Sequence, residues 1–191
     1  MKIGVLAVQG SFALHVKSLL ACSVEPVLVK RSKHLEGLEG IILPGGESTT
    51  FHIVMSEDDL LVQLRNSIKN GLPTWGTCAG AIMLGHGEGI PERWNLINIE
   101  VVRNAFGRQV DSFVAPLKIN GLESPFDGVF IRAPRFKLVS PTVEVLSSLE
   151  GEPVMASERK ILVSSFHPEL TNDLRVHQFF LTKFCDWHLR L

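Results

Sequence analysis

Short apolar runs alternate with helical patterns through the first half of this chain. The apolar runs lie at residues 3–8, 24–29, 40–43 and 72–77, and their nearly continuous hydrophobicity is typical of strands buried on both faces. Between the last two runs, Leu60, Leu64 and Ile68 recur at helical spacing, and Asn70-Gly71 provides a helix stop. This alternation predicts a parallel sheet that is covered on both faces by helices.

Two further helices are predicted to be amphipathic. The first begins after Ser11, a residue suited to the N-cap position, and its apolar face comprises Phe12, Val16, Leu19 and Leu20. The last begins near residue 173, and its broad apolar face comprises Leu174, Phe179, Phe180, Phe184 and Trp187. We expect both faces to pack against the sheet.

The second half of the chain is richer in strands. Strand-like segments occur at residues 98–102, 110–119, 129–131, 143–149, 153–157 and 161–166, with turn signals between them. The 191 residues fit one domain. The sequence therefore predicts a single α/β domain over residues 1–191, with a mixed, mostly parallel sheet flanked by helices.

Composition excludes several classes of function. With 19 basic and 20 acidic side chains, the net charge is −1, which provides no basic surface for nucleic acid or anionic lipid. No apolar run approaches the ~20 residues that a membrane helix requires. Cys22, Cys78 and Cys185 are widely spaced and odd in number, so we predict neither a disulfide framework nor a metal site. We expect a soluble, cytoplasmic protein without a metal or cofactor.

The segment Gly76-Thr77-Cys78-Ala79-Gly80 has the pattern of a nucleophile elbow. It follows a predicted strand and opens a predicted helix, which is the context that this pattern requires. Flanking glycines permit the sharp turn, and the helix N-terminus would stabilise a thiolate. The alternative is a buried core cysteine, the commonest fate of a free Cys. The paired glycines favour a nucleophile at Cys78.

A thiolate needs a base, and only His86 and His167 have a carboxylate two positions further on. We expect His86 on the same helix as Cys78, about 12 Å along its axis, which is too far for a hydrogen bond. His167 follows a strand, and Pro168 keeps the chain extended there, so Glu169 can reach the imidazole. The alternative is a strand-end histidine followed by a helix-capping Glu169.

The third motif is Pro44-Gly45-Gly46-Glu47-Ser48-Thr49, between another strand and a helix. Consecutive glycines leave backbone N–H groups open to close approach by an oxygen atom, as an oxyanion hole requires. A phosphate-binding loop is the rival interpretation, but the lysine of that motif is absent. An ordinary tight turn is the other alternative.

These three motifs together resemble the triad-type (class I) glutamine amidotransferases. Four further segments narrow the resemblance to the family of glutaminase subunits of pyridoxal 5′-phosphate synthase. They are residues 8–10 (VQG), 103–113 (RNAFGRQVDSF), 130–134 (FIRAP) and 165–171 (SFHPELT). The similarity runs essentially from end to end, and it implies a class I glutamine amidotransferase-like fold.

The resemblance implies that the chain hydrolyses L-glutamine to glutamate and ammonia. It also implies a partner, the (β/α)8-barrel synthase subunit of a hetero-oligomer, which consumes the ammonia. By resemblance, the triad comprises Cys78, His167 and Glu169, and the oxyanion hole comprises Gly45, Gly46 and Ala79. The implied glutamine contacts are Gly46, Glu47, Ser48, Arg103, Ile131 and Arg132.

Two alternatives remain open at this point. One is a glutaminase that serves another pathway, such as histidine or purine synthesis, although residues 103–113 and 130–134 argue against it. The other is a non-catalytic partner protein or a redox sensor that uses Cys78 as a reactive thiol.

Overall fold

The computed structural model describes residues 1–7, 10–46, 59–87, 93–102 and 112–188. Its strands are β1 (Lys2–Leu6), β2 (Glu25–Val29), β3 (Gly40–Leu43), β4 (Thr74–Thr77), β5 (Ile99–Val102), β6 (Ser112–Leu117), β7 (Phe126–Ile131), β8 (Arg135–Leu138), β9 (Glu144–Leu149), β10 (Glu152–Glu158) and β11 (Ile161–Ser164). Its α-helices are α1 (Phe12–Ala21), α2 (Leu60–Lys69), α3 (Ala79–Leu84) and α4 (Arg175–Phe184). Short 3-10 helices occupy Ser32–Leu35 and Pro168–Leu170.

Seven strands form one central sheet in the order β2-β1-β3-β4-β11-β10-β9. The first five run parallel, while β10 and β9 are antiparallel to their neighbours. Two small antiparallel pairs, β5-β8 and β6-β7, lie outside this sheet. The predicted fold class, a mixed and mostly parallel sheet with flanking helices, is confirmed.

The sheet separates two hydrophobic clusters, because side chains alternate between its faces along each strand. On one face, Ile3, Ile42 and Trp75 pack with residues of α1 and α4. On the other face, Ile41 and Leu43 pack with residues of α2 and α3. The helices therefore cover both faces of the sheet, as the alternating pattern predicted.

Helix α1 packs Phe12, Val16 and Leu19 of its predicted apolar face into the core, but not Leu20. Its buried residues are His15, Ser18 and Leu19, whereas Leu20 is 60% exposed. The physical reason is that polar groups of this helix have partners inside the protein, described below, so hydrophobicity alone did not orient it. Nothing in the local apolar pattern could reveal those partners.

Helix α4 agrees better with its prediction. It begins at Arg175 and buries Phe180 and Phe184, with Val176, His177 and Leu181. The other predicted apolar residues, Leu174, Phe179 and Trp187, are partly buried against the same cluster.

Among the strands, β8 was not predicted. Its four residues pair with β5, and only Phe136 among them is buried, so the apolar signal is weak. Strand β6 begins at Ser112 in the structure, and the residues before it, 103–111, lie outside the described chain. In the ranges that the structure describes, no helix is both long and apolar enough to cross a membrane.

Candidate active site

Four chain segments converge where four adjacent parallel strands end. Strands β1, β3, β4 and β11 are neighbours in the sheet, so their carboxyl ends share one edge. Ser11, Gly45, Cys78 and His167 each follow one of these ends. Ligands of open α/β sheets bind at this edge, and the three sequence motifs meet there.

Cys78 lies at the turn between β4 and α3, in a backbone conformation that L-residues rarely adopt. Its φ is +47° and its ψ is −102°, and its N–H donates to Ser164 O at 2.8 Å. A Cβ atom on Gly76 would lie 2.7 Å from Gly80 C, and one on Gly80 would overlap Leu43 O. The turn therefore requires both glycines, and it holds Cys78 in the strained geometry of a nucleophile elbow.

His167 and Glu169 form a buried pair beside this turn. The 3-10 helix that starts at Pro168 turns Glu169 back, so that His167 Nδ1 lies 2.9 Å from Glu169 Oε1. Both side chains are buried, and the side chain of Cys78 also hydrogen-bonds the imidazole. The carboxylate accepts the Nδ1 proton and thereby sets the orientation of the ring.

The site is charged in spite of its burial. Burial opposes protonation of His167, yet hydrogen bonds and charges of Cys78 and Glu169 raise the pKa of His167 to about 10. Burial also opposes ionisation of Glu169, yet His15, the His167 imidazole and a nearby hydroxyl lower the pKa of Glu169 to about 2. At neutral pH the pair is an imidazolium next to a carboxylate, which can give a proton to a leaving group.

The nearby hydroxyl belongs to Ser11. Ser11 precedes α1, as predicted, but its side chain makes no capping hydrogen bond. Instead Ser11 Oγ donates to Glu169 Oε1 at 2.5 Å. Ser11 therefore occupies the predicted N-cap position, but its hydroxyl is used as a donor to a charged, buried carboxylate and accepts no helix N–H.

Gly45 packs directly against the catalytic pair. A Cβ atom on Gly45 would overlap His167 Cε1 and would lie 3.3 Å from Cys78 Cβ. The Gly45 N–H donates to Thr77 Oγ1 at 2.9 Å. In this structure the predicted Gly45 oxyanion donor is thus engaged by Thr77, because the loop folds down onto the end of β4.

The other two predicted oxyanion residues differ from Gly45. Ala79 is the first residue of α3, where helix geometry leaves the N–H without an intrahelical acceptor. Gly46 is exposed at the surface of the site. The backbone N–H groups of Ala79 and Gly46 are therefore better candidates than that of Gly45 to donate to a substrate oxygen.

The predicted glutamine contacts are only partly described. Ile131 is 41% exposed at the end of β7, and Arg132 beside it is exposed. Strand β7 borders the site, since His167 N donates to Val129 O at 2.8 Å. The remaining predicted contacts, Glu47, Ser48 and Arg103, lie outside the described residues.

His86 does not share the helix of Cys78, contrary to expectation. Helix α3 ends at Leu84, and His86 forms a β-bridge with Glu100. The helix ends before Gly85 because the backbone at Gly85 packs closely against Ile99 and Val101 of β5. His86 is thus tied by its backbone to β5.

Two buried histidines behind the triad escaped sequence reasoning. His15 of α1 and His177 of α4 are 0% and 1% exposed, and His15 Nδ1 lies 3.0 Å from His177 Nε2. His177 shows no ligand spacing in the sequence, which indicated only a packed or solvated histidine, and the structure shows that it is packed. A usable signal was that His15 follows Ser11 by four residues, so both lie on one face of the helix.

The three cysteines are free and buried. Cys22 and Cys185 lie in the hydrophobic cluster shared by α1 and α4, as predicted for core residues. In the described ranges, no group of three or more His, Cys, Asp or Glu side chains is arranged to hold a metal ion.

The fold is that of the glutamine amidotransferases. A crystal structure of a glutamine amidotransferase superposes with a TM-score of 0.90 at 44% identity, covering 97% of this chain and 99% of that one. A model of the SNO glutamine amidotransferase family matches residues 5–186. The chain therefore belongs to the SNO glutamine amidotransferase family.

Curated relatives narrow the similarity further. The pyridoxal 5′-phosphate synthase subunit PdxT of Moorella thermoacetica is 48% identical over 185 residues, covering 95% of this chain and 98% of that protein. The subunit of the same name from Desulforamulus reducens is 50% identical, with the same coverage. The predicted family resemblance is thus confirmed.

Proposed function

We propose that this chain is the glutaminase subunit of pyridoxal 5′-phosphate synthase. It hydrolyses L-glutamine to glutamate and ammonia, and it passes the ammonia to a separate synthase subunit. The observation that carries this proposal is the strained Cys78 beside the buried His167–Glu169 pair. The names of the relatives supply the pathway.

In the proposed reaction, Cys78 attacks the side-chain amide carbon of glutamine. The thiolate sulfur forms a bond to that carbon, and the carbonyl oxygen becomes an oxyanion. We assign the stabilisation of this oxyanion to the backbone N–H groups of Gly46 and Ala79. Gly45 serves mainly as the residue without a side chain that lets the loop approach His167.

His167 then completes the first half of the reaction. Its imidazolium protonates the amide nitrogen, the C–N bond breaks, and ammonia departs, leaving a γ-glutamyl thioester on Cys78. In the second half, His167 accepts a proton from water, and the water oxygen attacks the thioester carbon. Glutamate leaves, the Cys78 thiolate is regenerated, and Glu169 orients the ring throughout.

We assign substrate recognition to Glu47, Ser48, Arg103, Ile131 and Arg132, together with Gly46. The arginines suit the α-carboxylate of glutamine because guanidinium groups bind carboxylates through paired hydrogen bonds. Exposure of Ile131 and Arg132 at the end of β7 supports this assignment for those two residues.

The proposal includes a partner and a location. Ammonia released to bulk water becomes protonated and loses its nucleophilicity, and a docked synthase subunit would receive it before that happens. The three free cysteines fit a reducing compartment, and we place the protein in the cytoplasm.

Glutamine-dependent ammonia release, measured with and without the cognate synthase subunit, tests the proposal. We expect release by the wild type in the complex and its loss in Cys78→Ala, while Cys22→Ala retains it. Ammonia release by Cys78→Ala would refute the mechanism. A failure of a glutamine-mimicking alkylator to label Cys78 in the complex would favour a redox sensor instead.

A further inference from the structure

The carboxylate of Glu169 is held from two sides. Its Oε1 atom accepts hydrogen bonds from His167 and Ser11. Its Oε2 atom is buried and has no hydrogen-bond partner among the described residues. The group that faces Oε2 is His15, whose Nε2 atom lies 3.4 Å away.

His15 and His177 are both neutral at pH 7. Burial lowers the pKa of His15; the charge of Glu169 opposes this shift, and the charge of His167 adds to it. Burial and the neighbouring His15 lower the pKa of His177 to about 3. A neutral imidazole carries one N–H, so each ring has one donor and one acceptor nitrogen.

The surroundings select one tautomer for this pair. If His15 carried its proton on Nδ1, its Nε2 lone pair would face the Glu169 carboxylate, and the contact would be repulsive. His177 would then have to accept at Nε2 and carry its proton on Nδ1, a buried atom without a partner. An orphaned buried N–H costs about 1–3 kcal/mol by the general rule, so this arrangement is disfavoured twice.

In the other tautomer no buried N–H lacks an acceptor, and only the Nδ1 lone pair of His177 stays without a hydrogen-bond partner among the described residues. His177 donates from Nε2 to His15 Nδ1 across 3.0 Å, and His15 donates from Nε2 toward Glu169 Oε2. Thr77 Oγ1, also 3.4 Å from His15 Nε2, accepts the Gly45 N–H and has a second lone pair for this proton. Trp75 packs edge-on against both imidazoles.

We propose that His15 is a positioning residue for the glutaminase reaction. As a neutral imidazole protonated on Nε2, it holds the Oε2 atom of Glu169, and His177 fixes that tautomer. The first turn of α1 thus presents two donors, Ser11 and His15, to the two oxygens of one carboxylate. With both oxygens held, Glu169 cannot rotate away from His167.

This inference rests on the proposed glutaminase function, and four variants test it in the reconstituted complex. His15→Gln keeps an N–H at the place of Nε2, whereas His15→Leu removes it. His177→Gln keeps the donor to His15, whereas His177→Leu removes it. The exposed His188 provides the control variant His188→Gln.

We expect His15→Leu to lower kcat about 10- to 100-fold, as the loss of an orienting group does, with KM for glutamine within twofold. The alkaline limb of the pH profile should move to lower pH, because a loosened Glu169 stabilises the His167 imidazolium less. The titratable groups around His15 are Glu169 and His167 from the segment after β11, and His177 from α4. Cys78 interacts with these residues through His167. His15→Gln should recover kcat to within about threefold, and His177→Leu should fall between these variants.

Equal losses in His15→Leu and His15→Gln, with an unshifted pH profile, would overturn the proposal in favour of a packing role.

Should His15→Leu fail to fold, nitrogen-15 NMR of the histidines in the wild type tests the proposal independently of turnover. We expect His15 to be neutral and protonated on Nε2 at pH 7. Protonation on Nδ1 would overturn the proposal. A wild type without glutamine-dependent ammonia release would instead refute the proposed function. The NMR measurement of the His15 tautomer does not depend on that result.

Discussion

Ser11 Oγ lies 2.5 Å from Glu169 Oε1, the same oxygen atom that accepts the Nδ1 proton of His167. The two donors come from opposite ends of the sequence, since Ser11 precedes α1 and His167 follows β11. One carboxylate oxygen therefore connects the start of the first helix to the catalytic imidazole. The position of α1 on the sheet is coupled to the geometry of the site.

Removal of this hydroxyl should impair catalysis without abolishing it. In Ser11→Ala, Glu169 loses a donor that lowers its pKa and restrains its rotation. A hydrogen bond to a charged group contributes about 1.5–3 kcal/mol, so we expect kcat to fall roughly 10- to 100-fold with little change in KM. Steady-state glutaminase kinetics of the complex measure this effect.

Two matched variants control for the change at Ser11. Ser11→Thr keeps a hydroxyl and should retain most of the activity. Ser67→Ala removes an exposed hydroxyl whose acceptor is Gln63 O within α2, and activity should not change. Wild-type kcat in Ser11→Ala would contradict the coupling described above.

The pKa of His167 should depend on Cys78. The hydrogen bond and the charge of Cys78 both raise the pKa of His167, whereas burial lowers it. In Cys78→Ala only Glu169 remains to oppose burial, so the pKa of His167 should fall from about 10 by one unit or more. Nitrogen-15 NMR titration of the histidine side chains measures this directly.

Cys22→Ala is the control for that titration, because Cys22 lies in the core at the end of α1. It should leave the His167 titration unchanged. An unchanged pKa of His167 in Cys78→Ala would mean that the sulfur does not interact with the imidazole.

The parts of the site that sequence predicted are those fixed by local geometry. The motif that runs from Gly76 to Gly80 directly follows a strand and has Cys78 at its centre. Such a short motif forms a narrow turn, so a strained backbone at Cys78 could be predicted. His167 and Glu169 are two residues apart with Pro168 between them, and their contact is likewise local. Strand–helix alternation similarly determined the parallel part of the sheet.

The parts that sequence missed depend on contacts between distant residues. Ser11 reaches Glu169 across 158 positions, and His15 reaches His177 across 162. Local propensity assigned Ser11 to a helix cap, and His15 was not part of the predicted apolar face. Only the packing of α1 beside α4 shows why that helix buries its polar side, and why its predicted face was partly wrong.

Acid should destabilise the fold through the buried histidines. The pKa of His177 is lowered by burial from 6.5 to about 3, so below pH 6.5 the unfolded chain binds a proton that the folded chain does not. The free energy of unfolding should then fall by up to about 1.4 kcal/mol for each pH unit between 6.5 and 3. The lowered pKa of His15 acts in the same direction.

Urea unfolding at pH 7, 6, 5 and 4 measures this dependence. His177→Gln cannot be protonated, and its slope should be shallower than that of the wild type. The control His188→Gln, at an exposed position, should keep the wild-type slope. Equal slopes in His177→Gln and the wild type would show that His177 is not a buried neutral group.

A methyl group on Gly45 should disable the site while leaving the fold intact. The new Cβ would overlap His167 Cε1 and lie 3.0 Å from His167 Nδ1, so the ring must move away from its position between Cys78 and Glu169. We expect Gly45→Ala to lower kcat at least 100-fold, because a shift of about 1 Å in a catalytic group has that effect.

Gly37→Ala provides the comparison. No atom lies within 4 Å of a Cβ at this position, and an alanine at its φ of +71° costs about 1–2 kcal/mol of stability. Gly37→Ala should therefore lower the unfolding midpoint and keep kcat, whereas Gly45→Ala should lower kcat and keep its secondary structure by circular dichroism. Wild-type turnover in Gly45→Ala would show that the loop does not rest on His167 in the working enzyme.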